Sequence, residues 1–262
     1  MRLSSLYGVL GSPISRSSSA HLFNEYFKKH SIDALYLPLD CDTLRFSHIM
    51  PAVKHAFSGV NVTSPLKREI YRECTSHDEA SSVTGSVNVV KISMGKLEGY
   101  NSDPAGFRYL IDSNGVEVSG KSIAVLGSGG ASASVAYALR RWYTPGSVAI
   151  VSRRAGKSDG SLTDYANLRE RYDVLISTIP YQHQESFLSQ FEMVIGRIRP
   201  AVVIDIVYNP KVTLFMRAAA LSGIRTVGGT DMFLGQASTA FDLWFKRKAD
   251  MEELREILLS GE

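Results

Sequence analysis

The chain has 262 residues, is 44% hydrophobic and 21% charged, and is long enough for more than one buried core. Its net charge of +3 is scattered, with no basic run longer than Lys246-Arg247-Lys248, which excludes a nucleic-acid surface of the usual basic kind. No apolar run reaches the roughly eighteen residues of a membrane-spanning helix.

In chain order, residues 6–10 form a short apolar strand. In the serine-rich loop that follows, Ser17 and Ser19 bracket Ser18. Alternate hydroxyls beside a helix start suit a substrate carboxylate, or they simply cap that helix. Leu22, Phe23, Tyr26 and Phe27 draw a helical stripe across 19–30. Residues 34–39 read as a strand, 44–57 as a helix and 59–63 as a third strand. Pro65 suits a first helical turn, which puts Lys67 at the N-terminal end of a helix. The dipole opposes a cation there. Such a lysine is either a solvated surface group or one whose pKa is lowered for proton exchange. Residues 86–92 and 96–100 form a hairpin around Met94-Gly95, with Asn88 as an amide in an otherwise apolar strand. It braces the backbone or reads a substrate hydroxyl. Asp103 sits where strand gives way to helix, as an N-cap or as the partner of Lys67 across a cleft. A lysine and an aspartate so placed can hold a hydroxyl oxygen and move its proton. Alternating strands and helices of this kind imply a mostly parallel sheet.

A second α/β unit begins near Asp103, with a helix over 104–112 and a linker at 113–115. The apolar run Ile123-Ala124-Val125-Leu126 leads into Gly127-Ser128-Gly129-Gly130-Ala131 and an alanine-rich helix over 132–141. Strand, glycine turn and helix in that order form a cradle for a pyrophosphate at a helix N-terminus. The competing reading is a glycine-rich turn in some other α/β protein, since Ser132 stands where a third glycine would come. The next strand, 147–152, runs into Ser152-Arg153-Arg154. An NAD site places an acidic residue there, whereas two arginines suit the 2′-phosphate of NADP. Strands at 173–178 and 201–208 follow, the latter ending in Tyr208. The segment between 152 and 173 leaves room for one short helix and not for a further strand and two helices, so the dinucleotide domain is expected to be trimmed. Gly228-Gly229 precedes a helix over 236–248 that opens with Gln236 and shows an apolar face of Phe241, Trp244 and Phe245. A last helix covers 251–259. The six histidines show no metal-ligand spacing, no GxSxG elbow supports a hydrolase, and the two cysteines, Cys41 and Cys74, read as inert thiols.

Taken together, the motifs resemble the shikimate dehydrogenase family over nearly the whole chain. They are Gly11-Ser12-Pro13-Ile14-Ser15-Arg16-Ser17-Ser18-Ser19, Asn61-Val62-Thr63-Ser64-Pro65-Leu66-Lys67, Gly85-Ser86-Val87-Asn88 and Asn101-Ser102-Asp103, then Gly127 to Ala131, Asp205 to Pro210, and Gly228-Gly229-Thr230-Asp231-Met232 to Gln236-Ala237. The resemblance implies a reversible NADPH-dependent reduction of 3-dehydroshikimate to shikimate, in aromatic amino acid (chorismate) biosynthesis. It implies that Ser17 and Ser19 hold the substrate carboxylate and that Thr63, Asn88, Asp103 and Gln236 bind its hydroxyls. Lys67 would be the proton donor and acceptor, assisted by Asp103, with Tyr208 helping to close the substrate site. Gly127, Ser128, Gly129, Gly130 and Ala131 would carry the pyrophosphate, and Arg153 and Arg154 the 2′-phosphate. Ser152 and Thr178 would also belong to the NADP site, with Gly229 and Met232 near the nicotinamide. Ser102 and Ser152 stand where the family usually has threonine and asparagine.

The expected architecture is therefore α/β in two domains. A substrate domain with a mostly parallel sheet takes 1–102 plus 236–262, and a trimmed Rossmann-like NADP domain takes 103–235. The expected partner is a small-molecule substrate, with no nucleic acid and no membrane, for a cytoplasmic monomer or homodimer without a signal peptide. A quinate/shikimate dehydrogenase and a non-catalytic dinucleotide-binding sensor are the alternatives. The paired arginines favour NADP and shikimate, and the presence of both Lys67 and Asp103 argues against a sensor.

Overall fold

The computed structural model describes residues 5–14, 17–152, 162–163 and 171–261. The chain divides into two compact units, one of Met1–Ser102 with Leu234–Glu262 and the other of Asp103–Phe233. Both are α/β with mostly parallel sheets.

Unit 1 opens with β1 (Ser5–Gly11), α1 (Ser19–Lys29), β2 (Ala34–Asp40), α2 (Phe46–Ala56) and β3 (Gly59–Val62). It continues with α3 (Lys67–Glu73), β4 (Ser76–His77), α4 (Glu79–Thr84), β5 (Val89–Ser93) and β6 (Lys96–Tyr100). The sheet order is β2-β1-β3-β5-β6-β4. β1 runs parallel to β2 and β3, while β5 is antiparallel to both β3 and β6. The ends of β1, β3 and β6 therefore share one edge with the start of β5.

Alternation along the strands sorts the side chains onto two faces. Leu10, Val60, Val62, Val90 and Leu97 pack with Met50, Val53 and Ile70. The other face is aromatic. Phe23 stacks on Tyr36 at 4.6 Å, and Tyr7 lies 4.8 Å from Trp244 of α10 (Thr230–Phe245). Gly59 makes room for that indole, because a Cβ there would fall on it, and Trp244 Nε1 donates to the Val90 carbonyl at 3.1 Å. The stripe expected from Phe241, Trp244 and Phe245 is the packed face of this helix. Helix α11 (Met251–Ser260) is capped by Asp250, whose Oδ1 accepts the Glu252 and Glu253 N–H groups at 2.9 and 3.0 Å. It returns to α1 through Glu253, paired with Lys29 at 3.0 Å and His30 at 2.7 Å.

Unit 2 contains α5 (Asp103–Ser113), β7 (Ser122–Leu126), α6 (Gly130–Trp142), β8 (Ser147–Val151) and β9 (Leu162–Thr163). After these come β10 (Val174–Ser177), α7 (Tyr181–Gln184), α8 (Leu188–Ile198), β11 (Val202–Asp205), α9 (Leu214–Leu221) and β12 (Arg225–Gly228). Its sheet order is β12-β11-β10-β7-β8-β9, every pair parallel. Counted within the unit this is 3-2-1-4-5-6, the order of doubly wound dinucleotide-binding sheets. One face packs Leu126, Leu175, Val203, Phe191 and Phe215, the other Val125, Ile176, Ile204, Leu110 and Leu139.

Several boundaries differ from those read in the sequence. The short segment after β8 holds a two-residue strand, β9; it pairs Ile150 with Leu162 and Val151 with Thr163. β11 stops at Asp205 instead of reaching Tyr208, because the Asp205 carboxylate accepts the Val207 N–H at 3.2 Å and turns the chain. β5 begins at Val89, leaving Asn88 just outside the strand. Helix α3 begins at Lys67, since Leu66 N–H donates to the Thr63 carbonyl at 2.9 Å and takes Pro65 into a turn. Helix α6 starts at Gly130, before Ser132.

Among the described residues no helix is long and apolar enough to cross a membrane, and no cluster of acidic, histidine or cysteine side chains could hold a metal. Both cysteines are free thiols. Burial pushes Cys41 up from its ordinary pKa, helped by Asp42, and pushes Cys74 up to about 12, where it packs against Gly99.

Candidate active site

In unit 1 the shared strand edge gathers most of the substrate-side residues. Ser17 and Ser19 follow β1. The Ser17 hydroxyl donates to Ser19 Oγ at 3.1 Å and accepts the Ser19 N–H at 3.3 Å. The N-cap of α1 is Ser18, without a side-chain cap bond. The two hydroxyls are therefore held side by side, with Ser17 also taking the first N–H of α1.

Thr63 leaves β3 with its N–H on the Leu10 carbonyl at 2.9 Å. Its own carbonyl fixes Leu66, which is fully buried, and so places the half-buried Lys67 as the first residue of α3. The Lys67 carbonyl accepts the Val87 N–H at 3.1 Å, tying the helix start to the residue before Asn88.

Asn88 is buried, 4% exposed, and its backbone bridges two strands. Its carbonyl accepts the Val62 N–H at 2.8 Å and its N–H donates to Tyr100 at 3.0 Å. Asn88 Oδ1 accepts the Ser102 N–H at 2.7 Å and the Ser102 hydroxyl at 3.3 Å. A backbone N–H can only donate, so the amide oxygen must face Ser102 and the NH2 is the end it can offer elsewhere. Ser102 in turn precedes Asp103, which is 1% exposed and opens α5. Asp103 is thus the first helical residue, where a carboxylate meets the favourable end of the dipole. Gln236 lies half-buried on α10.

The residues that brace this edge belong to none of the sequence motifs above, Asn61 and Asn101 apart. Asp78 caps α4 by accepting the Ser81 N–H at 2.8 Å and also accepts the Asn101 N–H at 3.3 Å. Asn101 Nδ2 donates to Thr84 Oγ1 at 2.9 Å. Below Asn88, the Tyr36 hydroxyl donates to Asn61 Oδ1 at 2.7 Å. The Asp78-x-x-Ser81 spacing carried a readable cap signal; the Tyr36–Asn61 bond has no local one.

In unit 2 the glycine turn has the shape a pyrophosphate needs. Gly127 has φ +120° and its N–H donates to the Val151 carbonyl at 2.8 Å; a Cβ there would fall on Thr178 Oγ1. Thr178 is pinned below the turn, with its N–H and hydroxyl on the Leu126 carbonyl at 2.9 and 2.8 Å. Gly129 is the N-cap of α6, with no side-chain cap and no acidic residue in the first turn, and a Cβ on it would meet nothing within 4 Å. An open approach to an uncapped helix start, with Gly130 and Ala131 as its first residues, fits a dinucleotide phosphate. Ser152 Oγ donates to Ser128 Oγ at 3.2 Å across the same turn. Arg153 and Arg154 lie outside the described residues. Ser132 is 1% exposed and its hydroxyl has no partner among the described residues.

The other end of the unit 2 sheet carries Tyr208, Gly229 and Met232. Gly229 N–H donates to the Val207 carbonyl at 3.1 Å, and a Cβ on Gly229 would fall on the Ile206 carbonyl. The Tyr208 ring stacks on Phe233 at 4.2 Å. Met232 is buried with Ile204 and Val227.

Comparison with known proteins gives a consistent result. A family model described as the shikimate dehydrogenase substrate binding domain matches residues 9–90. A shikimate dehydrogenase (NADP(+)) of Carboxydothermus hydrogenoformans is 32% identical, over 91% of each chain. One from Pyrococcus furiosus is 31% identical, over 97% of this chain and 95% of its own. Among solved structures, a chorismate mutase/shikimate 5-dehydrogenase fusion protein from Clostridium acetobutylicum superposes with a TM-score of 0.87 at 27% identity, covering 98% of this chain and 97% of its own.

Proposed function

The chain belongs to the shikimate dehydrogenase family, and on that premise we propose that it reduces 3-dehydroshikimate reversibly to shikimate with NADPH. The observation that carries this reading is the extent of the likeness: relatives named for this NADP(+)-dependent activity match over 91% of both chains, so both units are included. NADP, when bound, supplies a hydride acceptor at the carbinol carbon, and NADPH the donor.

The chain's own residues do the rest. Ser17 and Ser19 donate their paired hydroxyls to the substrate carboxylate. Thr63, Asn88 and Gln236 bind ring hydroxyls, Asn88 through its NH2 because its oxygen is engaged by Ser102. Lys67 takes the proton from the alcohol oxygen in oxidation and returns it in reduction, and Asp103 shares that proton. Tyr208 helps to enclose the substrate. In unit 2, Gly127, Ser128, Gly129, Gly130 and Ala131 hold the pyrophosphate, with Thr178 supporting the turn from below. Ser152, Arg153 and Arg154 hold the 2′-phosphate side, and Gly229 and Met232 the nicotinamide side. Unit 1 is accordingly the substrate domain and unit 2 the NADP domain, in a cytoplasmic monomer or homodimer. The two unpaired cysteines suit a reducing compartment.

The test mixes purified protein with shikimate and NADP and follows the absorbance of reduced nicotinamide. Turnover with shikimate and NADP well above that with quinate or NAD is expected. Turnover with quinate alone would move the substrate assignment, and none with either acid would leave a dinucleotide-binding protein without this activity.

A further inference from the structure

One buried carboxylate has no part in the chemistry proposed above. Asp205 ends β11 with no exposed surface. Its Oδ2 accepts from Gln184 Nε2 and from Thr213 Oγ1, both at 2.7 Å, and its Oδ1 accepts the Val207 N–H at 3.2 Å. Gln184 and Thr213 are themselves fully buried. Removing a carboxylate from water is costly, and an apolar side chain would fill the same space more cheaply. The cost is accepted at a point where the main chain must turn.

We propose that Asp205 is a positioning residue for the nicotinamide side of the dinucleotide site, fixing the strand exit Ile206-Val207-Tyr208 against Gly229 through the Val207 N–H. This rests on unit 2 being the NADP domain. The contacts of that exit make Val207 its pivot. Ile206 N–H donates to the Ser177 carbonyl at 3.1 Å, and the Val207 carbonyl accepts the Gly229 N–H at 3.1 Å. Gly229 packs directly on Ile206, with no room for even a Cβ between them, and its carbonyl accepts the Phe233 N–H at 3.0 Å. Phe233 carries the ring on which Tyr208 stacks. A shift of the Val207 amide therefore moves Gly229 and Tyr208 together. Gln184 and Thr213 hold the carboxylate from the two helices on that side. Thr213 caps α9 through the Met216 N–H at 3.2 Å while donating to Asp205. Gln184 Nε2 also reaches the Ile179 carbonyl at 3.3 Å, beside Thr178 under the pyrophosphate turn.

The test compares Asp205→Asn, Thr213→Val and Thr213→Ser with the wild type, by NADPH fluorescence titration, by amide exchange of the ligand-free protein and by steady-state kinetics. Thr213→Val keeps the shape and loses both the donor to Asp205 and the cap of α9, whereas Thr213→Ser keeps both. Asp205→Asn and Thr213→Val are expected to weaken NADPH binding roughly tenfold, the scale of one hydrogen bond to a charged group, with Thr213→Ser near wild type. The KM for shikimate should hardly change. Exchange at Val207 and Gly229 should quicken in Thr213→Val and not in Thr213→Ser. A purely structural role would lower the melting temperature of Thr213→Val and leave the NADPH Kd alone, and that result overturns the proposal. Equal loss in Thr213→Ser and Thr213→Val overturns it too. Should Asp205→Asn not fold, the Thr213 pair decides. A wild type that binds NADPH but does not turn over shikimate refutes the proposed activity, while the Kd and exchange comparison still judges Asp205. A wild type that binds no NADPH overturns both.

Discussion

Lys67 owes its place to a residue with no chemistry of its own: Leu66, fully buried, anchors the turn that starts α3. In Lys67→Ala, turnover should fall by about two to four orders of magnitude, the range for losing a general acid/base, with little change in shikimate KM. Near-normal turnover would remove Lys67 from the reaction. Gly127 is set by backbone conformation. Gly127→Ala imposes a side chain at φ +120° and drives it onto Thr178. The strain alone costs about 1–3 kcal/mol. NADPH affinity and melting temperature should both drop, and an unchanged Kd would show that the turn does not carry the phosphates. Ser132 works in the opposite sense. Its hydroxyl, buried without a partner among the described residues, makes Ser132→Ala stabilising by about 1 kcal/mol, measured by urea denaturation. The glycine turn and the placement of Lys67 and Asp103 at helix starts were legible in the sequence because their signals are local. The engagement of the Asn88 oxygen by Ser102 was not, because the two residues meet only when β5 and β6 pair.

At the scale of elements, α10 shows how a strand glycine sets a helix. Gly59 is the floor on which Trp244 lies, and the same helix carries Gln236. Gly59→Ala should lift the helix off β3 and cost about 1–3 kcal/mol, as overpacking does in other cores, with a rise in shikimate KM from the displaced amide. Wild-type stability in that variant would mean that the indole can swing away freely. The last helix depends on its cap, and Asp250→Ala should cost about 1 kcal/mol and quicken amide exchange along α11. Periodicity reveals α1 and α10 because an apolar stripe needs several turns to show. The same rule explains part of what was missed. β4 and β9 are two residues each and α7 is four, too short to display any period. β12 ends at Gly228, the first of a glycine pair that had been read only as preceding a helix.

For the molecule as a whole, ionisation of one side chain sets a pH slope. Burial raises Asp205 from 3.8 to about 6. Below the unfolded value both states hold the proton and its contribution is complete. Between about pH 4 and 6 the folded chain keeps a proton that the unfolded chain releases, so stability falls as pH rises. The loss amounts to about 3 kcal/mol and is complete above pH 6. Denaturant titrations across this range should show Asp205→Asn gaining on the wild type as pH rises; a constant gap would refute the raised pKa. The Rossmann-like character of unit 2 was expected from the glycine turn and its flanking strands, whereas its third strand is too short to show in the sequence. The packing around the thiols has a practical consequence at this scale. Cys41 is shielded, and Cys74, with a pKa of about 12, stays protonated at neutral pH. Maleimide dyes attack thiolates. A cysteine introduced on the surface would therefore outcompete both native ones, and the protein could carry a single fluorophore for spectroscopy without first being stripped of its own sulfur.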